Sequence, residues 1–318
     1  MRKALFIGLN EYVQNPLKAC INDAKCMEKV LEKNGDGSPN FEVKLKEDIK
    51  SSAELLSLIS AFFSGKCDTA LLYFAGHGYF TNIGGYILPT DCIMGVSMND
   101  ILTLANQSDI TNKIIILDCC DSGSIGVPVI GGSNIPLGDG ISILTACRNN
   151  EEAEEVNGHG VFTNLLIEAL KGGAADIGGY ITPGSIYAYI DQALGAYDQR
   201  PVFKTNITSF TPLRTIKPQV DPDVLREIIK YFPIPTDEYK LDPSYEDTNS
   251  ITVEHEVIEP YANTLNVQIF KNLQKLQSVG LIVPVSEDYM YFAAMKSKSC
   301  KLTALGHHYW RLVNNNRF

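Results

Sequence analysis

The chain has 318 residues, more than one compact domain usually needs, and 45% of them are hydrophobic. This hydrophobic content excludes a disordered chain, and the net charge of -10 disfavours general binding to nucleic acids or anionic membranes. No apolar stretch approaches a membrane span or a signal sequence, so we expect a cytoplasmic protein. Eight scattered cysteines without a CxxC pair predict neither a disulfide scaffold nor a metal site, and we expect no cofactor.

The first two thirds of the chain alternates apolar strand-like runs with segments of helical periodicity. The predicted strands are Ala4 to Gly8, Phe41 to Leu45, Thr69 to Phe74, Lys113 to Leu117, Ile141 to Thr145 and Arg200 to Thr205. The predicted helices are Leu17 to Leu31, Ser51 to Phe63, Val161 to Leu170 and Pro183 to Leu194. This order predicts an α/β fold with a mostly parallel six-stranded sheet flanked by helices.

A change of pattern near the prolines of residues 211–222 predicts a linker between a domain over 1–210 and a second domain over 223–318. In the second domain, Val267 to Val279 has helical spacing, Leu281 to Val285 reads as a strand, and Tyr289 to Met295 is expected to return antiparallel to it. A capped helix over LTALGHHYWRLV follows. This small α+β order resembles a winged-helix domain.

Two polar motifs directly follow strong apolar strands: TALLYFAGHGYF, which contains His77, and KIIILDCCDSGS, which contains Cys119 and Cys120. The carboxyl ends of parallel strands line the ligand crevice, so both motifs should emerge at one edge of the sheet. The glycines around His77 should let the backbone turn sharply. Considered singly, the cysteine is most simply interpreted as a buried structural thiol and the histidine as a loop residue. Considered together, they favour a site in which the histidine is the base that activates the thiol.

The motifs YFAGHG and LDCCDSG resemble the histidine and cysteine motifs of the caspase superfamily, above all metacaspases. The resemblance spans about residues 1–210 and includes ALFIGLNEY, PLKACINDA, YILPTD and QRPVF. It implies a cysteine endopeptidase with His77 as the base and Cys120, not Cys119, as the nucleophile. It also implies an oxyanion hole formed by the N–H groups of Gly78 and Cys120. The second GHG, at His159, precedes a helical pattern and reads as a loop or helix-start residue.

The same resemblance bears on which peptide bond is cut. Metacaspases have acidic residues in the S1 pocket, which holds the side chain before the scissile bond, and the matching positions here are Asp23 and Asp118. A pair of carboxylates would bind a guanidinium, which predicts cleavage after Arg or Lys. Two other interpretations stay open at this point: Asp23 as a solvated helix residue and Asp118 as a loop cap.

The resemblance to metacaspases with an added module suggests a regulated effector in prokaryotic defence or regulated death. The expected partners are a protein or peptide substrate with a basic residue before the cut, and a protein regulator that binds residues 223–318. DNA is disfavoured because residues 218–318 hold 10 Lys or Arg against 13 Asp or Glu. The usual metacaspase calcium site lacks its acids at 122–129 and keeps only Asp100. The alternatives are a catalytically silent caspase-like scaffold and a DNA-binding regulator that uses the winged helix.

Overall fold

The computed structural model describes residues 1–81, 84–121, 136–146, 155–156, 159–195, 201–208, 211–248 and 253–318. For positions 120, 121, 155, 156 and 159 it describes the main chain. The described chain divides into two compact units, Met1–Lys217 and Pro218–Phe318. No helix in these ranges has the length and apolar character that crossing a bilayer requires.

The first unit is built on a central sheet whose backbone runs in the order β11-β7-β6-β3-β1-β2. These strands are β1 (Arg2–Gly8), β2 (Glu42–Glu47), β3 (Thr69–Thr81), β6 (Asn112–Asp121), β7 (Ile141–Thr145) and β11 (Val202–Asn206). All neighbouring pairs are parallel except β11, which runs antiparallel to β7. The mostly parallel sheet expected from the sequence is therefore confirmed, although two short strands, Gly84–Ile87 and Val96–Ser97, extend it from the predicted six strands to eight.

Short strands complete this unit. The strand β4 (Gly84–Ile87) pairs with β3 and with β5 (Val96–Ser97). Two further pairs are β8 (Glu155–Val156) with β9 (His159–Gly160), and β10 (Tyr180–Ile181) with β12 (Arg214–Thr215). The helices are α1 (Cys20–Glu32), α2 (Ser52–Phe63), α3 (Met98–Gln107), α4 (Val161–Glu168), which a π-helical turn extends to Gly173, and α5 (Pro183–Leu194).

The two helices of the first unit with cap signals in the sequence begin as predicted. The Ser51 hydroxyl accepts a hydrogen bond from the Glu54 N–H at the start of α2. At α5, Thr182 and Ser185 form a reciprocal capping box, with Pro183 in the first turn. Such caps satisfy amide groups that have no partner inside the helix, so the helix starts are fixed locally.

Helices cover the sheet on both faces, and alternate residues of each strand face opposite cores. Ala70, Leu72 and Phe74 pack in the core that contains α2 and α3. Their neighbours Leu71 and Tyr73 pack in the core that contains α1, α4 and α5. Because strand side chains alternate with a period of two, this arrangement extends into the motif positions at the carboxyl ends of β3 and β6.

The strands differ from the sequence prediction at the two motifs. β3 runs through Gly76, His77 and Gly78 to Thr81, and β6 runs through the cysteines to Asp121. The predicted sharp turn at the glycines is therefore wrong, because pairing with β4 and β6 continues the ladder past them. The glycine at 76 instead serves close packing, since a Cβ there would lie 2.4 Å from the Tyr12 hydroxyl oxygen.

Residues 211–217, which the sequence analysis assigns to a linker, lie in the first unit. Arg214 and Thr215 form β12, and Leu213 is fully buried. The Arg2 guanidinium donates to the carbonyl oxygens of Pro212 and Leu213, and the Arg214 guanidinium donates to the Leu170 carbonyl oxygen. These bonds fix a proline-containing segment that composition alone marks as a connection.

The second unit is a small α+β structure with a three-stranded sheet in the order β13-β15-β14. Its elements are α6 (Pro222–Arg226), α7 (Ile228–Tyr231), β13 (Tyr239–Lys240), α8 (Thr264–Ser278), β14 (Ile282–Val285), α9 (Met290–Met295), β15 (Ser299–Leu302) and α10 (Ala304–Asn314). The segment expected to return as a strand is the helix α9, and β15 is the strand that pairs antiparallel with β14. Met290, Ala293 and Ala294 are buried on one side of α9, a helical spacing that the prediction overlooked.

Candidate active site

His77 and Cys120 occupy directly opposed positions on the neighbouring parallel strands β3 and β6. Adjacent strands in a sheet are separated by about 4.8 Å, so the two main-chain positions are as close as the sheet allows. Both positions lie near the carboxyl ends of their strands, which is where the sequence analysis expects them. The structure therefore brings the histidine and cysteine motifs together through backbone pairing.

The imidazole of His77 is buried, and its two nitrogens differ. Nε2 lies 2.7 Å from the main-chain oxygen of Asn15. A carbonyl oxygen can only accept a hydrogen bond, so Nε2 carries the proton and Nδ1 carries the lone pair in the neutral ring. Among the described residues, no group forms a hydrogen bond with Nδ1. The ring is thus held in the tautomer that can take a proton at Nδ1.

Tyr12 fixes His77 from a second direction. Its hydroxyl oxygen accepts a hydrogen bond from the His77 main-chain N–H at 2.8 Å and donates one to the Leu88 carbonyl oxygen at 3.1 Å. Its ring lies 4.4 Å from the imidazole, centroid to centroid. Burial raises the pKa of Tyr12 well above the ordinary range, so the hydroxyl stays protonated and neutral. The absent Cβ of Gly76 leaves room for this hydroxyl.

Asn15, which the sequence analysis did not single out, supplies the carbonyl that orients His77. Its φ of 55° lies in the left-handed region, where asparagine is more easily accommodated than most residues. Its side chain gives no sign of this role because the main chain makes the contact. Motif reasoning from side-chain chemistry therefore could not have found it, although an asparagine before a proline marks a turn.

Of the two neighbouring cysteines, Cys119 lies in the apolar core. The Cys119 side chain is 4% exposed and packs in the core that contains α2 and α3. Position 120 follows Cys119 directly in β6. The side chain of Cys120 lies outside the described residues.

Asp23 and Asp118 are buried on the same face of the sheet, with 1% and 3% of their surface exposed. The Thr163 hydroxyl donates to Asp118 Oδ2 at 2.6 Å, and it therefore accepts the hydroxyl proton of Tyr73, whose oxygen is also 2.6 Å away. The Gly160 N–H donates to Asp23 Oδ2 at 3.3 Å. Asp23 is not a solvated helix residue, and Asp118 caps no loop because it lies inside β6.

Tyr73 is affected by both carboxylates. Burial raises its pKa well above the ordinary value, and the nearby negative charges of Asp118 and Asp23 raise it further. The tyrosine therefore remains a hydrogen-bond donor, and the two acids lie close enough to act on one hydroxyl. This arrangement brings together the two residues that the sequence analysis assigns to one pocket.

Comparisons with known proteins bear on the first unit. The family model described as Caspase domain matches residues 1–210, about two thirds of the chain. The chain belongs to the caspase-domain family of cysteine peptidases. Among solved structures it is similar to the crystal structure of caspase-1 from Spodoptera frugiperda, with 15% sequence identity and a TM-score of 0.49, covering 68% of this chain and 90% of that chain. No curated protein matches it.

Two further predicted residues of the caspase domain have defined main-chain positions. Gly78 lies in β3 opposite Asp121 of β6 and opposite Ile87 of β4. His159 begins the two-residue strand β9, which leads directly into α4, and its side chain lies outside the described residues. The participation of the Gly78 and Cys120 N–H groups in an oxyanion hole stays a prediction.

A cavity of about 330 Å³ opens beside His77 in the caspase domain. Its walls come from three places: the loop before α1, the strand β3, and the segment that joins β4 to β5. The lining residues are Gln14, Asn15, His77, Tyr79, Leu88, Cys92, Ile93, Met94 and Gly95. Among the described residues, no group of three or more His, Cys, Asp or Glu side chains is arranged to hold a metal ion.

Proposed function

We propose that this chain is a cysteine endopeptidase in which His77 activates Cys120 for cleavage after Arg or Lys. The observation that carries the proposal is the state of His77. Its Nε2 is hydrogen-bonded to the Asn15 carbonyl oxygen, its Nδ1 is buried without a partner among the described residues, and its main-chain position is paired with that of Cys120. A base held in one tautomer next to a cysteine position is the arrangement that thiol activation requires.

The reaction is acyl transfer. His77 Nδ1 takes the proton of the Cys120 thiol, and the thiolate attacks the scissile carbonyl carbon. The C–N bond then breaks while the imidazolium returns the proton to the leaving amine, and water hydrolyses the thioester to a carboxylic acid and the free thiol. The Asn15 carbonyl stabilises the imidazolium and keeps the ring in position. Oxyanion donors such as the N–H groups of Gly78 and Cys120 are each worth about 3 kcal/mol.

The preference for a basic residue before the cut is supported by the acid pair. Asp23 and Asp118 are buried on one face, and each accepts a hydrogen bond from a neutral donor, Gly160 N–H or the Thr163 hydroxyl. A guanidinium or ammonium group would be attracted by the negative charge of two carboxylates buried on one face. A side chain ending in Asp or Glu would meet repulsion instead.

The biological role that we propose is a regulated effector in prokaryotic defence or regulated death, with the second unit as the binding site of a protein regulator. Its support is that the chain contains a separate unit, Pro218–Phe318, in addition to the caspase domain. A peptidase that cuts after common basic residues needs restraint inside a cell. The net negative charge of this unit favours a protein partner over DNA.

A panel of fluorogenic tetrapeptides that differ in the residue before the cut tests the activity. The wild type should hydrolyse Arg and Lys peptides and not Asp peptides. Cys120→Ala and His77→Ala should be inactive, whereas Cys119→Ala should retain at least part of the activity. Activity in Cys120→Ala with loss in Cys119→Ala, or a preference for Asp peptides, would contradict the proposal.

A further inference from the structure

The cavity beside His77 is separate from the acid pair. None of the residues that line it contacts the network of Tyr73, Thr163 and Asp118 through a described hydrogen bond. Asp118 lies in β6 two positions before 120, and Asp23 lies in α1, whereas the cavity begins at His77 and extends along β3 to Tyr79 and to the segment that joins β4 to β5. The cavity and the acid pair are therefore formed by different residues.

Among the described residues, the side chains that line the cavity carry no formal charge except a protonated His77, and they include the large apolar side chains of Leu88, Ile93 and Met94. Ile93 and Met94 are 84% and 66% exposed on its rim, an uncommon position for two consecutive large apolar side chains. This lining contrasts with the net charge of -10 of the whole chain and with the two buried acids nearby.

The backbone that presents these apolar side chains is held firmly. The Thr90 N–H donates to the Ile49 carbonyl oxygen at 2.9 Å, and the Ile93 N–H donates to the Asp91 carboxylate at 3.0 Å. The Ser52 hydroxyl donates to the carbonyl oxygen of Met94. Hydrogen bonds thus hold the segment that exposes Ile93 and Met94 in place. Their apolar surface therefore stays available to a ligand.

The opposite wall is equally defined. The ring of Tyr79 stacks on that of Tyr86 at 4.8 Å with an angle of 6° between the planes. Gly95 closes against this pair, since a Cβ there would lie 2.8 Å from the Tyr86 Cβ and 3.0 Å from a ring carbon of Tyr79. A preformed recess of this volume, lined by both large apolar side chains and uncharged polar groups such as Gln14 and Asn15, has the usual character of a ligand site.

We propose that this cavity binds the substrate residue directly after the scissile bond and selects large uncharged apolar side chains there. The inference rests on the proposed peptidase function, in which His77 protonates the leaving amine. The residue that leaves with that amine must lie against His77, and the cavity is the recess that His77 lines. The substrates are then peptides in which Arg or Lys is followed by a residue such as Leu, Met or Phe.

Internally quenched peptides with a fixed Arg before the cut and Leu, Phe, Gly, Glu or Lys after it test the proposal on the full chain. We expect kcat/KM for Leu and Phe to exceed that for Glu by about 10-fold, the effect of burying part of one large apolar side chain. Met94→Asp and Ile93→Asp each introduce a carboxylate that attracts Lys and repels Glu. The ratio of the Leu rate to the Lys rate should therefore fall more than the ratio of the Leu rate to the Glu rate.

The ratio of two rates within one variant is insensitive to loss of folded protein, so poor folding cannot imitate the effect. Ile207→Asp is the matched control and should leave every ratio unchanged. Ile207 is similarly apolar and exposed, and it follows β11 at the end of the sheet remote from His77, since Asn206 pairs with Ile141 and Ile141 with Lys113 at the start of β6.

The outcomes separate this inference from the function on which it rests. Cleavage after Arg at one rate for all five peptides would overturn the subsite and leave the peptidase intact. An altered ratio in Ile207→Asp as large as that in Met94→Asp would also overturn it. Absence of cleavage of all peptides, with the Cys120→Ala variant no different from the wild type, would overturn the peptidase function and the subsite together.

Discussion

Gly76 and Tyr12 should be energetically coupled, because a side chain at 76 and the tyrosine hydroxyl compete for the same space. A Cβ at Gly76 would lie 2.4 Å from the Tyr12 hydroxyl oxygen and 3.0 Å from a ring carbon of Phe74. To reach an ordinary contact the hydroxyl must move by about 1 Å. That shift breaks its bonds to the His77 N–H and the Leu88 carbonyl oxygen.

The magnitudes follow from those two bonds. A buried polar group that loses its partner costs about 1–3 kcal/mol, so Gly76→Ala should lower the free energy of unfolding by about 2–4 kcal/mol. Tyr12→Phe removes the hydroxyl and should cost about 1–3 kcal/mol. In the Tyr12→Phe background the closest clash is absent, and Gly76→Ala should cost about 1–2 kcal/mol less than in the wild type. Either change displaces His77 and should lower kcat by about 100-fold.

The coupling is measured by urea unfolding of the wild type, both single variants and the double variant, followed by far-ultraviolet circular dichroism. Trp310 is the single tryptophan of the chain and lies in the second unit, so its fluorescence monitors that unit separately. Additivity of the two substitutions within about 0.5 kcal/mol would refute the reasoning, because it would mean that the hydroxyl does not occupy the space at Gly76.

Four further predictions concern the orienting carbonyl, a buried thiol, maturation and the second unit. Asn15→Val should lower kcat by at least about 10-fold with little change in KM, because a β-branched residue resists a φ of 55°. Asn15→Gly should stay active, because glycine adopts this φ without strain. Equal activity of the two variants would contradict the orienting role of Asn15. Burial raises the pKa of Cys300 from 9.0 to about 12, so the unfolded chain ionises first and stability falls as pH rises through that window. Between about pH 9 and about pH 11 the urea midpoint of the wild type should therefore fall more than that of Cys300→Ala. Equal decreases in the two proteins would contradict the role of the Cys300 thiol. Self-cleavage between Ile125 and Gly140 should be absent from mass spectra of the active protein, since an enzyme specific for Arg and Lys finds neither residue there; a cut in that range would disprove it. Deletion of residues 218–318 should change peptide hydrolysis, and the full chain should bind duplex DNA no tighter than about 10⁻⁶ M at physiological salt; tight, salt-sensitive DNA binding with unchanged hydrolysis would favour a regulator instead.

The sequence by itself determined the elements whose signals are local. Apolar runs defined the buried strands, helical spacing and caps defined α2 and α5, and the order of strands and helices implied a mostly parallel sheet. The same local reasoning placed the His77 and Cys120 motifs at the carboxyl edge of that sheet. These features are predictable because hydrophobic periodicity and capping depend on residues within a few positions of one another.

The tertiary structure decided how the motifs are held. Pairing across β3, β4 and β6 keeps the chain extended through Gly76 and His77, where the glycines alone suggested a turn. Burial of Asp23 beside Tyr73 depends on the packing of α1 against the sheet, which no spacing rule specifies. The orienting partner of His77 is a main-chain carbonyl, at Asn15. Every residue carries such a group, so only the path of the folded chain determines which one reaches the imidazole.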